Sequence, residues 1–125
     1  MEINDITGTI VDAAMRVHSV LGPGLLESAY QAALAHELGK RGLSVNREVL
    51  MPARYDGIDL GVAYRIDLLV ESRVVVETKS VVKINEIHEA QLLSQIRLGD
   101  YRVGLLINFN VPRLKDGIVR KVNRL

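Results

Sequence analysis

The chain of 125 residues contains no cysteine. Disulfides and thiolate-held metals are therefore excluded, and a reducing compartment presents no difficulty. Tryptophan is absent and aromatic content is 4%, which leaves few side chains on which single-stranded bases could stack. No stretch reaches the ~18 apolar residues of a membrane helix. The start, MEINDITG, has neither the basic n-region nor the apolar h-region of a signal peptide. Together these absences predict a cytoplasmic protein with no membrane partner. There is no HExxH motif, and Gly22-Pro23-Gly24 lacks the preceding strand and the Lys-Ser/Thr of a phosphate loop, so it reads as a turn.

What the chain does have is apolar content. At 48% hydrophobic residues, one domain over residues 1–125 can fill a core. The net charge is +1, unevenly spread. Residues 1–96 hold nine Lys and Arg against thirteen Asp and Glu. Residues 97–125 hold seven basic residues (Arg97, Arg102, Arg113, Lys115, Arg120, Lys121, Arg124) against Asp100 and Asp116. An acidic body beside a basic tail suits a polyanionic partner; a solvated C-terminal segment is the simpler explanation.

Apolar residues at helical spacing (Ile6, Ile10, Val11, Ala14, Val17, Leu21) predict a first helix over residues 5–21. A second, over residues 25–41, carries Leu26, Ala29, Tyr30, Ala33, Leu34 and Leu38 and ends at Gly42. Strands are expected over residues 44–54, with Val45, Arg47, Val49, Met51 and Ala53 pointing one way, then from Ile58 to Gly61, over 64–70 and over 74–80. Tyr55-Asp56-Gly57 is a turn. A third helix runs from Asn85 or Glu86 to Leu98, with Ile87, Ala90, Leu93 and Ile96–Arg97 tracing one side. Arg102–Asn108 reads as a strand covered on both faces, and Gly117–Val122 as a final strand or helix. The order α-α-β-β-β-β-α-β-(β or α) implies an α/β or α+β fold, a mixed central sheet flanked by helices.

Two acids stand inside otherwise apolar strands: Asp67 in YRIDLLVES and Glu77 in VVVETKS. Strand interiors exclude charge unless it is paired or binds a metal. With the three-residue loop Glu71-Ser72-Arg73, Val70 pairs with Val74 and Asp67 lies opposite Glu77, with Cβ atoms about 4.5–5.5 Å apart. A two-residue loop would put the acids on opposite faces. Carboxylates that close repel unless a cation lies between them, and hard oxygen donors suit Mg²⁺ or Mn²⁺. Lys79 shares a strand face with Glu77 and could orient a nucleophile and offset charge on phosphorus. The competing explanation is a structural ion-pair cluster of Asp67, Glu77, Lys79 and Arg65. Glu27 borders the apolar stripe of the second helix in its first turn, where the dipole favours an anion. His88, Gln91 and Gln95 share one face of the third helix.

In this order, the residues resemble the PD-(D/E)XK nuclease superfamily, and within it the GxxExxY proteins. The matching segments are Gly24-Leu-Leu-Glu27-Ser-Ala-Tyr30, Tyr64-Arg-Ile-Asp67, Val76-Glu77-Thr-Lys79, Ile87-His88-Glu89-Ala-Gln91 and Leu105-Leu-Ile-Asn108. The resemblance implies a restriction-endonuclease-like core, αβββαβ, and Mg²⁺- or Mn²⁺-dependent hydrolysis of phosphodiester bonds in nucleic acid, DNA or RNA. Asp67, Glu77 and Glu27 match the metal-binding acids, and Lys79 the catalytic lysine. Gln91 matches a glutamine beside the site in recombination-type branches. Those branches often carry Tyr four residues later, where this chain has Gln95. Alternatives are a catalytically silent module of the same fold that binds nucleic acid or protein, and a phosphatase of small phosphoesters. A homodimer would suit cleavage of both duplex strands.

Overall fold

A computed structural model describes residues 1–124. Among these, the element order is α1 (Ile3–Leu21), α2 (Glu27–Lys40), β1 (Val45–Tyr55), β2 (Ile58–Val70), β3 (Val74–Lys79), α3 (Glu86–Leu98), β4 (Val103–Asn108), a 3₁₀ turn (Leu114–Gly117) and β5 (Ile118–Val122). The strands form one mixed sheet in the order β1-β2-β3-β4-β5. All neighbours are antiparallel except β3 and β4, which run parallel through the α3 crossover. The αβββαβ core is therefore present, preceded by α1 and followed by β5. The end of the chain, left open as strand or helix, is a strand.

The segments expected as separate strands at 58–61 and 64–70 are one strand, β2. Gly61, at φ +73°, lies where the β1–β2 register shifts. A glycine there absorbs a bulge without ending the strand. The turn between β1 and β2 has Asp56 at φ +52° and Gly57 at φ +77°, the left-handed pair that matches hairpin twist.

Two apolar layers cover the sheet. On one face α1 and α2 bring Ile6, Ile10, Tyr30 and Leu34 against Leu68, Val74, Val76, Leu105 and Ile107. On the other, α3 brings Leu92 and Ile96 against Ile66, Val75 and Leu106. Each such side chain contributes about 1.5–3 kcal/mol on burial. The inner face of α3 matches the expected side in part: Ile96 is buried and Leu93 packs beside it, but Ile87 is exposed and Leu92 is buried in its place. The helix seats on Gly104, where an added Cβ would stand 2.7 Å from Leu92 Cδ1 and 2.9 Å from Ile96 Cγ2, and this close approach fixes which stripe faces inward.

The regular alternation expected along β1 also fails, and it fails beside the acids. Val45 packs on the α1/α2 layer, whereas Val49 and Met51 pack on the α3 layer. Between them Glu48 adopts φ +52°. Across the ladder Leu68 faces α1/α2 and Ile66 faces α3. The register holds on both sides (Arg47 with Leu68, Val49 with Ile66), but Glu48 and Asp67 are unpaired. Both strands thus reverse faces at Asp67.

Candidate active site at the split between β2 and β3

The loop 71–73 leaves Val70 paired with Val74, Leu69 with Val75 and Leu68 with Val76, and the ladder stops there. Asp67 and Glu77 come next, opposite one another, as the three-residue loop requires. Where the strands part, their N–H groups lose ladder partners, and a buried unpaired N–H is costly. The two carboxylates fill that role. The Asp67 N–H donates to Glu77 Oε1 at 3.2 Å, and the Thr78 N–H donates to Asp67 Oδ2 at 3.0 Å. The Thr78 hydroxyl donates to the same Oδ2 at 3.3 Å. Asp67 is 4% exposed and Glu77 7%. Burial, followed by the charge of Asp67, pushes the Glu77 carboxyl up to about 8. A second negative charge is thus disfavoured at this place until a cation is supplied.

Lys79, half-buried, ends β3. Among the described residues no salt bridge joins it, Arg65, Asp67 or Glu77 to any partner. The structural ion-pair cluster is therefore not formed. The chain around Lys79 is held by its neighbours. The Phe109 N–H donates to the Lys79 carbonyl at 3.0 Å. Asn108, 1% exposed, clamps the next turn: its Oδ1 accepts from the Val81 N–H at 3.1 Å and its Nδ2 donates to the Val81 carbonyl at 3.0 Å.

Glu27 opens α2, and Ser80 ties that helix start to β3, its hydroxyl donating to the Leu25 carbonyl at 2.6 Å. Tyr30 fixes the turn before it. Its hydroxyl donates to the Gly22 carbonyl at 2.5 Å and accepts from the Leu25 N–H at 3.1 Å, while its ring stacks on Phe109 with centroids 4.6 Å apart. Gly24, at φ +102°, completes the turn. The Gly24–Glu27–Tyr30 spacing is therefore one device for presenting Glu27. Burial raises the Glu27 carboxyl; the charge of Lys79 opposes this and that of Asp67 adds to it. Glu27, Asp67 and Lys79 thus share one electrostatic neighbourhood.

Gln91 is exposed on α3 and lines a groove of about 530 Å³ with Ala63, Tyr64, Ile87, Ala90, Ser94, Gln95 and Leu98. Among the described residues it makes no hydrogen bond to the acids. His88 is engaged as a cap: Asn85 accepts from its N–H at 3.0 Å, and its Nδ1 accepts from the Asn85 N–H at 3.2 Å. The supporting roles of Thr78, Ser80 and Asn108 were not expected from the sequence. The one sequence signal for them was polar residues closing apolar strands.

The donor set at the split is two buried oxygen acids. It fits a hard divalent cation, which commonly uses one or two carboxylates and completes its shell with water. Among the described residues no group of three or more His, Asp or Glu side chains is placed to hold a metal; Glu27 stands apart from the pair.

A mixed sheet with helices on both faces and paired acids beside a lysine defines a nuclease-like α/β domain. The chain belongs to the PD-(D/E)XK nuclease superfamily: that family model matches residues 4–121. No curated protein and no solved structure matches it. No described helix is long and apolar enough to cross a membrane.

Proposed function

We propose that this protein is a divalent-metal-dependent nuclease that hydrolyses phosphodiester bonds of DNA. The observation that carries the reading is the burial of Asp67 opposite Glu77 where β2 and β3 part, with Lys79 two residues on and in no salt bridge among the described residues. Asp67 and Glu77 would hold Mg²⁺ or Mn²⁺, with Glu27 the further acid on the α2 side. Such an ion supplies Lewis acidity and a water of lowered pKa when bound. Lys79 orients the attacking water and offsets charge gathering on the phosphate oxygens. Gln91, exposed on the groove side of α3, is left outside this reading. The Gly24–Glu27–Tyr30 signature supports placing the chain among the GxxExxY proteins, and we place its action in the cytoplasm, where nucleic acid is found.

The basic C-terminal segment contributes less than its charge suggests. Lys121 pairs with Glu89 at 2.8 Å and Arg124 pairs with Asp100. The Arg120 guanidinium donates to Thr7 at 3.1 Å and Asn4 at 2.9 Å. Arg113 and Lys115 are exposed and follow β4, whose C-terminal end lies beside that of β3. These two remain for phosphate contacts at the Lys79 end of the sheet.

A second reading, a nuclease-fold module that binds without turnover, draws on one observation: both acids already accept main-chain N–H groups. Cleavage of plasmid, single-stranded DNA and RNA with Mg²⁺ or Mn²⁺ separates the two. Wild type should cut DNA, and Asp67→Asn and Lys79→Ala should not. Equal cleavage by all three would mean a contaminant, and nucleic-acid binding without cleavage would favour the silent module.

A further inference from the structure

The outer half of the β1–β2 hairpin has no place in the site. Beyond Arg65, β2 pairs only with β1, so the ribbon leaves the sheet as a two-stranded arm. Residues 54–63 are all exposed. Among them Tyr55 is 71% exposed, Ile58 61%, Leu60 55% and Val62 63%. Tyr55 and Ile58 are cross-strand partners, and Leu60 follows on the same face by alternation. Isolated exposed apolar residues are ordinary, but a contiguous patch marks an interface.

A second apolar surface adjoins the arm. It is the groove of about 530 Å³ between the arm's base and α3, where Ile87 is 64% exposed and Leu98 59%. No side chain lining it is charged. Residues 50–65 carry Arg54 and Arg65 against Asp56 and Asp59, a net charge of zero. Binding to a polyanion rests on net positive charge, so neither surface suits nucleic acid. Each has the chemistry the other needs.

We infer that the arm of one copy of this chain lies in the groove between the arm base and α3 of a second copy, and the reverse, making a two-fold symmetric dimer. An isologous contact places the same patch on both partners, and this molecule carries both halves of the contact on one side. The six side chains named above offer on the order of 500 Å² of apolar surface. That is close to the apolar share of a standard interface of roughly 800 Å² per partner. The assembly is independent of catalysis and is measured without substrate.

The test is sedimentation of the full chain across the micromolar range. Wild type should run at twice 13.9 kDa. Leu60→Lys on the arm and Leu98→Glu in the groove should each weaken the dimer by about tenfold or more, with unchanged far-ultraviolet circular dichroism. Ile58→Lys serves as a second arm variant. An equimolar mixture of Leu60→Lys and Leu98→Glu should form heterodimers more tightly than either variant forms homodimers, because one contact is then intact and the other joins Lys to Glu. A monomer throughout that range would overturn the inference. So would a dimer indifferent to either surface, or arm variants that lose DNA binding without any change of mass.

Discussion

The two halves of β2 break the usual partition of side chains in opposite directions. The inner half, residues 66–70, is buried and holds a carboxylate. The outer half, residues 58–63, is exposed and holds Ile58, Leu60 and Val62. The inner violation is compensated within the chain, because Asp67 and Glu77 replace ladder acceptors that the parting strands lose. The outer one is compensated by nothing among the described residues. A buried charge with main-chain donors around it is a preorganised site, whereas exposed apolar surface is a contact still to be made.

The largest expected effect lies at the inner half. Asp67→Asn or Lys79→Ala should lower nuclease turnover by about 10²–10³-fold or more, read by initial rates at saturating Mn²⁺. Under the same conditions, Ile58→Thr in the outer half should leave the rate per active site unchanged within about twofold. A comparable loss from Ile58→Thr would erase the contrast between the halves.

The pH dependence follows from Glu77. Its folded carboxyl titrates at about 8, above the ordinary 4.5. A raised folded value favours the protonated form, so the contribution to stability is full below 4.5 and is lost as pH rises toward about 8. The metal-free protein should lose on the order of a few kcal/mol across that window. Glu77→Gln should flatten the slope in denaturant titrations at pH 5 and pH 8. Mn²⁺ at about 100 times its Kd should restore ~2.7 kcal/mol to wild type near pH 8, and little to the variant.

Next in size is the support beneath Glu27. Tyr30→Phe keeps the stack on Phe109 but leaves the Gly22 carbonyl and the Leu25 N–H without their partner. A loss of about 1–2 kcal/mol in thermal unfolding is expected, together with a raised Mn²⁺ requirement for cleavage. The smallest effect belongs to the arm in dilute, monomeric protein. There Ile58→Thr should change stability by no more than about 0.5 kcal/mol, since its side chain is 61% exposed.

Much of this was legible in the sequence because it rests on local rules. Helical spacing marked α1 and α2, and Asp56-Gly57 marked the hairpin turn. The sequence left two loop lengths open after β2, and the observed pairing of Val70 with Val74 selects the one that sets Asp67 opposite Glu77. The inner face of α3 follows the expected stripe only at Leu93 and Ile96, because a single glycine on β4, far away in sequence, seats Leu92 beside Ile96. The break of β1 alternation at Glu48 was missed as well, since a twist shared by two strands leaves no period in either. Gln91 was legible by position only; the fold places it on the groove beside the arm.

The sequence by itself determined which groups the protein has for chemistry: two acids in apolar strands, a lysine two residues on, and no thiol. Spacing along a strand and turn length are short-range properties that few residues can specify. Only the tertiary structure decided that the strands part at Asp67, that the carboxylates take over the lost main-chain contacts, and that Ser80 and Asn108 draw α2 and β4 around Lys79. Those outcomes depend on how distant segments pack, and packing is settled by the whole core at once.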